Sequence, residues 1–367
     1  MNRRDFSRNV LMLGLGGSAA PALGQSPPDA RPPDQLQLKD YRPRSIFRIP
    51  QTRVEKARFP VIDVHSHAYA RTDEEVDRWV RTLDAVGVER TVVMTGATGK
   101  RFDETAARFR RYPGRFDVWC GVDYAGFDQP GYGPAAVAEL ERCRRAGAVG
   151  VGELSDKGGG LCGNTGGMHL DDAWMDVLLE KCADLGLPVN IHVGEDRWMY
   201  EPMDSTNDGL MNAHQWRIPK SPAILEHDAV IATLEGAVKR HPRTTFIACH
   251  FANCCYDLGR LGAMFDRHPN LHADIGARFG ETAPIPRFMA RFYNRYADRL
   301  MYGTDMGTDA EMYRATFRIL ETEDEHFYEQ NLFNYHWPLH AFGLKDDVLR
   351  KVYADNARAL MKQVKRP

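Results

Sequence analysis

The sequence predicts a single (β/α)8 barrel of the TIM type, and three observations lead to this fold class. From residue 60 the chain alternates short apolar, β-rich runs with longer amphipathic segments, which is typical of parallel strands covered by helices. Eight such units follow one another, as this barrel requires. Open doubly wound sheets usually have five or six strands and a Gly-rich first turn, and the sequence lacks such a turn. A barrel with extensions therefore accounts for the 367 residues.

The predicted elements follow a regular order along the chain. The strands are expected at 61–65, 90–95, 116–122, 148–153, 188–193, 245–250, 271–275 and 300–305. Helices with apolar residues near the 3.6-residue period are expected at 73–86, 134–146, 173–185, 229–240, 258–267 and 284–297. Gly or Pro commonly follows these segments, as at Gly87 and Pro242, and both residues are typical of helix ends.

The N-terminal residues are expected to lie outside the barrel, which is predicted to span 58–367. Arg3 and Arg4 precede Phe6 and a weakly apolar, Gly-rich run, so residues 1–24 resemble a twin-arginine export signal. A frayed basic terminus is the alternative. Residues 25–57 are interpreted as a Pro-rich linker and N-terminal extension. The twin-arginine export machinery is thus a predicted partner, and the location is predicted to be periplasmic or exported.

Charge and composition argue against several classes of protein. Lys and Arg total 48 against 50 Asp and Glu, so the chain has no basic surplus with which to bind nucleic acid. No run approaches the roughly 18 to 20 apolar residues of a membrane-spanning helix, so stable membrane insertion is not expected. The seven cysteines are odd in number and contain no Cys-x-x-Cys pair. Most are interpreted as buried apolar residues rather than ligands or nucleophiles.

The connection at 194–226, after the fifth predicted strand, is unusually long. Loops of about thirty residues are usually functional or disordered. Its aromatic residues argue against disorder, so we expect an ordered flap over the barrel mouth, with a packed structural insertion as the alternative. Trp198 is the flap residue predicted to contact substrate.

Residues with metal-ligand chemistry occupy the ends of several predicted strands. The first strand leads into His65 and His67, and residues i and i+2 of a strand point to the same face, so both imidazoles can reach one ion. Four other strands end, in chain order, in Glu153, His192, His250 and Asp305. A lone His is more often structural, but the ends of barrel strands meet at one mouth, so the combination predicts a divalent-metal site. Zinc is the first expectation, with manganese, iron or cobalt as alternatives.

These motifs in this order resemble the amidohydrolase superfamily, specifically the amidohydrolase-related branch that includes aminocarboxymuconate semialdehyde decarboxylase and γ-resorcylate decarboxylase. The resemblance rests on Val64-His65-Ser66-His67, Glu153, Ile191-His192, Cys249-His250 and Gly303-Thr304-Asp305. The stretch 343–358 is also similar to the closing helix of that branch, so the likeness covers roughly residues 58–362. The pattern is specific for fold and metal and does not specify the substrate.

The resemblance implies a role for each residue. The implied ligands of one divalent metal are His65, His67, His192 and Asp305. His250 would be an acid, base or electrophile in a one-metal site, or a ligand in a two-metal site. Glu153 resembles the fourth-strand Glu of the metal-dependent deoxyribonuclease branch and raises the two-metal alternative. The site is therefore expected to hold one or two ions.

Hydrolysis of an amide, lactone or ester of a small molecule is the expected reaction. A metal ion lowers the pKa of water to roughly 7, Asp305 is expected to act as base, and His250 is expected to polarise the carbonyl. Non-oxidative decarboxylation of an aromatic or unsaturated acid is the alternative, with Arg278 as the group that grips a substrate carboxylate. Arg278 as a structural salt bridge is the competing interpretation. A non-catalytic periplasmic binding protein is a third interpretation, and a homodimer is a reasonable assembly.

Overall fold

The computed structural model describes residues 31–161 and 167–364. The predicted export signal lies outside the described residues and stays a prediction. Residues 31–41 belong to one compact unit, in which a short 3-10 helix spans Leu38–Asp40. The second unit begins at Arg42 and contains every strand. In the described part of the chain, no helix is both long and apolar enough to cross a membrane.

Eight parallel strands build the second unit. They are β1 Val61–His67, β2 Val88–Met94, β3 Phe116–Trp119, β4 Val151–Asp156, β5 Val189–Val193, β6 Phe246–Ala248, β7 Leu271–Asp274 and β8 Leu300–Met301. β1 to β3 form one parallel sheet in sequence order and β4 to β8 form another. Each predicted strand is therefore present, although the bounds of several differ.

Backbone hydrogen bonds also join the two sheets at both edges. Cys120, just after β3, forms a parallel bridge with Val151 at the start of β4. At the other edge, the amide of Val64 donates to the carbonyl of Tyr302 at 2.9 Å, and the amide of Asp305 donates to the carbonyl of His65 at 2.9 Å. The strand order and these contacts match the predicted (β/α)8 barrel.

Helices follow the strands and cover them. They are α1 Asp73–Val86, α2 Gly99–Phe109, α3 Tyr132–Arg145, α4 Ala173–Leu185, α5 Leu210–Trp216, α6 His227–Arg240, α7 Leu258–Arg267, α8 Phe279–Thr282, α9 Pro286–Tyr296, α10 Ala310–Glu321, α11 Gln330–Phe333, α12 Asp346–Arg350 and α13 Asn356–Gln363. Local sequence explains the ends of α1: Thr72 and Glu75 form a capping box, and Gly87 ends the helix with a left-handed φ of 86°.

The segment 194–226 carries its own small apolar cluster. It contains a 3-10 helix at Arg197–Met199 and the helix α5. Met199, Tyr200 and Ala213 are buried together within it. The segment is therefore packed around apolar residues of its own, while its predicted action as a flap over the barrel mouth stays a prediction.

Two functional positions lie beyond the strands to which the sequence analysis assigned them. β6 ends at Ala248, and His250 opens a run of four left-handed residues with φ between 53° and 59°. β8 ends at Met301, and Asp305 lies beyond it with a φ of 54°. Such conformations cost on the order of 1–3 kcal/mol each for residues other than glycine, and they tend to occur at functional sites. The regular apolar pattern of the sequence does not reveal these turns.

Candidate active site

Two imidazoles come from β1, and the orientation of the first is fixed by a buried carboxylate. His65 is fully buried, and its Nδ1 lies 2.9 Å from Oδ2 of Asp274. Because an ionised carboxylate only accepts, Nδ1 carries a proton, so in the neutral ring the lone pair is at Nε2. Nε2 is buried and has no hydrogen-bond partner among the described residues. An imidazole held in this way by a carboxylate is the usual arrangement of a metal-ligating histidine.

Glu153, in β4, lies at the centre of the histidines. Its carboxylate oxygens lie 3.0 Å from Nδ1 of His192, 3.4 Å from Nε2 of His67, and 3.7 Å from Nε2 of both His65 and His250. Burial alone would raise the pKa of Glu153, but the surrounding histidines hold it well below its usual value. Glu153 is therefore ionised and faces the whole imidazole cluster.

Asp305 supplies a second carboxylate to the same histidines. Its Oδ1 lies 3.1 Å from Nε2 of His67 and accepts a hydrogen bond from the Tyr69 hydroxyl at 3.0 Å, while Oδ2 lies 3.7 Å from Nε2 of His250. Burial would raise its pKa, but His65 and His67 hold the pKa well below the usual range. The chain just before Asp305 lies close to β1 because Gly303 has no side chain. A Cβ at Gly303 would lie only 2.7 Å from the Cβ of His65.

His250 has its tautomer set by a backbone carbonyl. Nδ1 lies 2.8 Å from the oxygen of Gly276, so in the neutral ring Nδ1 donates and Nε2 keeps a lone pair toward the carboxylates. Burial lowers the pKa of the ring, which favours this neutral form. His250 is thus arranged as a ligand or proton acceptor. Donation to an oxyanion, the role expected from the sequence, requires the protonated ring.

His192 also lies at the site, but each of its two ring nitrogens lies near a carboxylate. Its Nδ1 points to Glu153, and its Nε2 lies 3.5 Å from Oε1 of Glu195. Burial opposes protonation, yet Glu195 and Glu153 together raise the pKa of His192 to about 9. The ring lies between two carboxylates, so its role as a metal ligand stays a prediction.

The other predicted ligands fall, together with Cys249, into two groups whose donor atoms could hold a divalent cation. One group consists of His65, His67 and Asp305, and another of His65, Glu153, Cys249 and His250, with the ligand atoms in each within 4.8 Å of one another. Burial opposes protonation of His65, but Asp274 and Asp305 outweigh it and raise the pKa of His65 to about 10. In the metal-free protein a proton therefore sits on His65, where the carboxylates would equally stabilise a metal cation. The Nε2 of His65 is also buried without a hydrogen-bond partner among the described residues, as expected of a metal ligand.

Arg278 lies beside the cluster, and acidic and amide groups surround its guanidinium. Nη2 donates to Asn253 at 2.5 Å and lies 3.2 Å from Glu195, Nε lies 3.4 Å from Asp196, and Nη1 lies 3.6 Å from Glu281. Burial would lower the pKa of Arg278, but the carboxylates raise it above its usual value. The geometry is that of a buried structural salt bridge, the competing interpretation of this residue. Its predicted grip on a substrate carboxylate stays a prediction.

A cavity of about 520 Å³ opens above the cluster. Its lining combines the charged residues of the cluster with apolar residues, among them Met199, Trp216, Leu332 and Phe333. Lys157 also lines the cavity, where its ammonium contacts Glu195 and lies 5.2 Å from the ring centre of Trp216. The flap therefore contributes to the cavity through Met199 and Trp216.

The structure places Trp198 outside the lining of this cavity. Its ring lies 5.7 Å from that of Trp337, and it packs beside Gly209, where a Cβ would come within 2.7 Å of it. Trp198 thus packs against Gly209 and Trp337 rather than lining the cavity. Its predicted contact with substrate is not seen in the structure.

Sequence reasoning assigned no role to several residues of this site. Tyr69 continues the alternation of His65 and His67, and that spacing could have identified it. Asp274 is the last residue of β7, one of the strand ends for which the sequence predicted no function. Glu195 follows His192 by three residues, but its burial against Arg278 depends on tertiary packing.

Comparisons with known proteins agree with this architecture. The sequence profile of a family described as amidohydrolase matches residues 55–362. No curated protein sequence matches the chain significantly.

Several solved structures share the fold at low sequence identity. A TIM-barrel protein from Bordetella bronchiseptica is 16% identical with a TM-score of 0.54, covering 83% of this chain and 99% of its own. A 2,6-dihydroxybenzoate decarboxylase from Rhizobium is 19% identical with a TM-score of 0.52, covering 83% and 99%. A 5-carboxyvanillate decarboxylase from Novosphingobium aromaticivorans, complexed with manganese, is 14% identical with a TM-score of 0.50, covering 85% and 100%. At these identities the likeness establishes the fold.

The family assignment rests on the profile match, which extends over most of the chain and includes every residue of the histidine and carboxylate cluster. This chain therefore belongs to the amidohydrolase family and is a metal-dependent enzyme of that superfamily.

Proposed function

We propose that the protein is a metal-dependent hydrolase that cleaves an amide, lactone or ester bond of a small molecule. The observation that carries the proposal is the pair of ionised carboxylates, Glu153 and Asp305, which both line the cavity and both lie within 3.7 Å of Nε2 of the same three histidines, His65, His67 and His250. A site with two carboxylates and several imidazoles suits one or two divalent ions, with zinc first. Such an ion supplies a Lewis acid that polarises a carbonyl and makes water more acidic.

Asp305 is the residue best placed to move the proton. Its low pKa keeps it ionised at neutral pH, so it can accept a proton from the attacking water. The Tyr69 hydroxyl occupies Oδ1, which leaves Oδ2 for proton transfer. The same carboxyl then gives the proton to the leaving group. His250, with its lone pair at Nε2, acts as a ligand or second acceptor.

The charged residues that line the cavity favour a substrate whose reacting group is uncharged over one whose reacting group is a carboxylate. The Arg and the Lys of its described lining already contact acidic side chains: Arg278 lies near three carboxylates, and Lys157 contacts Glu195. A substrate carboxylate would have to compete with these partners. Hydrolysis requires no such competition.

Decarboxylation of an aromatic acid is the second candidate, and one observation favours it. The Lys157 side chain keeps 41% of its surface exposed beside the ring of Trp216, so it could meet a carboxylate on a ring stacked there. Two of the solved structures with this fold are named as aromatic acid decarboxylases. This reaction would need a proton donor to carbon, whereas Asp305 is ionised.

Labelled water distinguishes the two reactions. The metal-loaded protein is incubated in H₂¹⁸O with panels of esters, lactones, amides and aromatic carboxylates, and products are analysed by mass spectrometry. Hydrolysis predicts one ¹⁸O atom in the acid product, without carbon dioxide. Asp305→Asn should lower this turnover by about 10²-fold or more while the protein stays folded.

A matched control is Asp257→Asn, at the start of α7, which removes the same charge away from the cavity. Carbon dioxide without label in the acid product would instead establish the decarboxylase. Turnover by Asp305→Asn equal to that of the unmodified protein would contradict the assigned base.

A further inference from the structure

A buried cysteine lies among the histidines and Glu153, and the proposed function gives it no role. Cys249 immediately follows β6 and is 0% exposed. Its thiol lies 2.8 Å from Oδ1 of Asn190, to which it donates. Most of the cysteines were predicted from the sequence to be buried apolar residues, and none was predicted to be a ligand.

The position of Cys249 is set by the turn that follows it. In an extended strand, neighbouring residues point to opposite faces. Here the backbone enters the left-handed region at His250, so the two adjacent side chains both approach the same centre. The amide of His250 donates to Oδ1 of Asp274 at 3.1 Å, which fixes this bend.

The distances are close to those of a coordination sphere. One ligand atom from each of His65, Glu153, Cys249 and His250 lies within 4.8 Å of the other three. Zinc ligands at 2.0–2.3 Å in a tetrahedron lie roughly 3.5 Å apart, so inward movements of about 1 Å or less close the sphere. The buried Nε2 of His65 has no hydrogen-bond partner in the described chain, which independently indicates that a ligand belongs there.

We infer that the thiolate of Cys249 is a direct ligand of the metal at this site. This inference rests on the proposed metal centre and adds a sulfur to its imidazole and carboxylate donors. On binding, the sulfur–metal bond forms, and the thiol proton passes to solvent. A thiolate ligand favours zinc, cobalt or cadmium over manganese and magnesium, which prefer oxygen.

Cobalt spectroscopy tests the sulfur–metal bond directly. The metal-free full chain is titrated with Co²⁺, and the bound metal is counted separately by elemental analysis. A cobalt–thiolate bond predicts a near-ultraviolet charge-transfer band that grows in step with bound cobalt. Cys249→Ser and Cys249→Ala should lose this band while circular dichroism confirms that they remain folded. Cadmium affinity should fall by on the order of tenfold or more in these variants, with manganese affinity changing much less.

Cys254→Ala is the matched control, since Cys254 is equally buried and its thiol lies 3.4 Å from the carbonyl of Ala252. This variant should keep the band. Stoichiometric cobalt binding without the band would overturn the inference and leave the proposed hydrolase intact. Failure to bind cobalt, zinc or manganese at all would overturn both. A band retained in Cys249→Ala would assign the sulfur to another residue and overturn the inference.

Discussion

At the scale of single residues, Asp274 organises the site without facing the cavity. Its Oδ2 accepts a hydrogen bond from Nδ1 of His65 at 2.9 Å. Its Oδ1 accepts hydrogen bonds from the backbone amides of His250 and Gly276, at 3.1 Å and 3.0 Å. One buried carboxylate thus fixes the tautomer of one histidine and the backbone position of another. The motif His65-Ser66-His67 predicted the histidines, but nothing local to Asp274 predicted which ring it would orient.

Asp274→Asn should weaken metal binding by about 10- to 100-fold, the usual effect of losing a group that orients a ligand. Oδ1 can still accept from the two amides, but an amide nitrogen at Oδ2 cannot accept from His65. The ring must then lose this bond or move its proton to Nε2, where the metal would bind. The measurement is the zinc dissociation constant from competition with a chelating dye.

Asp257→Asn removes a carboxylate of the same charge at α7 and should leave that constant unchanged. Equal zinc affinity in Asp274→Asn and the unmodified protein would show that Asp274 does not orient His65 for metal binding.

At the scale of elements, the turn after β7 and the segment 194–226 are joined by a chain of polar contacts. Glu281, in α8, accepts from the Tyr335 hydroxyl at 2.8 Å, and that hydroxyl accepts from Nδ2 of Asn212 in α5 at the same distance. Arg278 lies 3.6 Å from Glu281 at the other end. The sequence predicted a flap at 194–226 from its length and aromatic residues. It could not predict these contacts, because Tyr335 is 123 residues from Asn212.

Glu281 should make the protein less stable as the pH rises from about 4.5 to about 7. Burial raises its pKa to about 7 in the folded state, whereas the unfolded carboxyl titrates near 4.5. Between these values the folded state binds the extra proton, so the free energy of unfolding falls with rising pH by up to about 1.4 kcal/mol per unit. Glu281→Gln removes this contribution. The urea midpoint of the variant, measured from pH 4.5 to 8, should therefore depend less steeply on pH.

Glu104→Gln, on the exposed face of α2, provides the comparison and should keep the slope of the unmodified protein. Identical slopes for Glu281→Gln and the unmodified protein would show that Glu281 is ionised throughout this range in the folded state.

At the scale of the whole molecule, the barrel and the gathering of its ligands follow from the sequence to a large extent. Parallel strands place their carboxyl ends at one mouth, so the topology brings residues 65, 67, 153, 250 and 305 to the same end of the barrel. The left-handed turns at His250 and Asp305 could not be predicted, because neither position carries the glycine that usually marks such a backbone. The ion pairs of Arg278 could not be predicted either, because its partners are brought next to it only by folding. These partners are Glu195, Asp196 and Glu281.

The central claim is that this cluster holds a divalent metal on which hydrolysis depends. The most direct measurement is a titration of the metal-free protein with zinc in H₂¹⁸O, in which bound metal and ¹⁸O-labelled acid product are followed together. Labelled product should appear in proportion to bound zinc and reach its limit at one or two ions per chain. Full hydrolytic activity in the metal-free protein, unchanged by added zinc, would contradict the account.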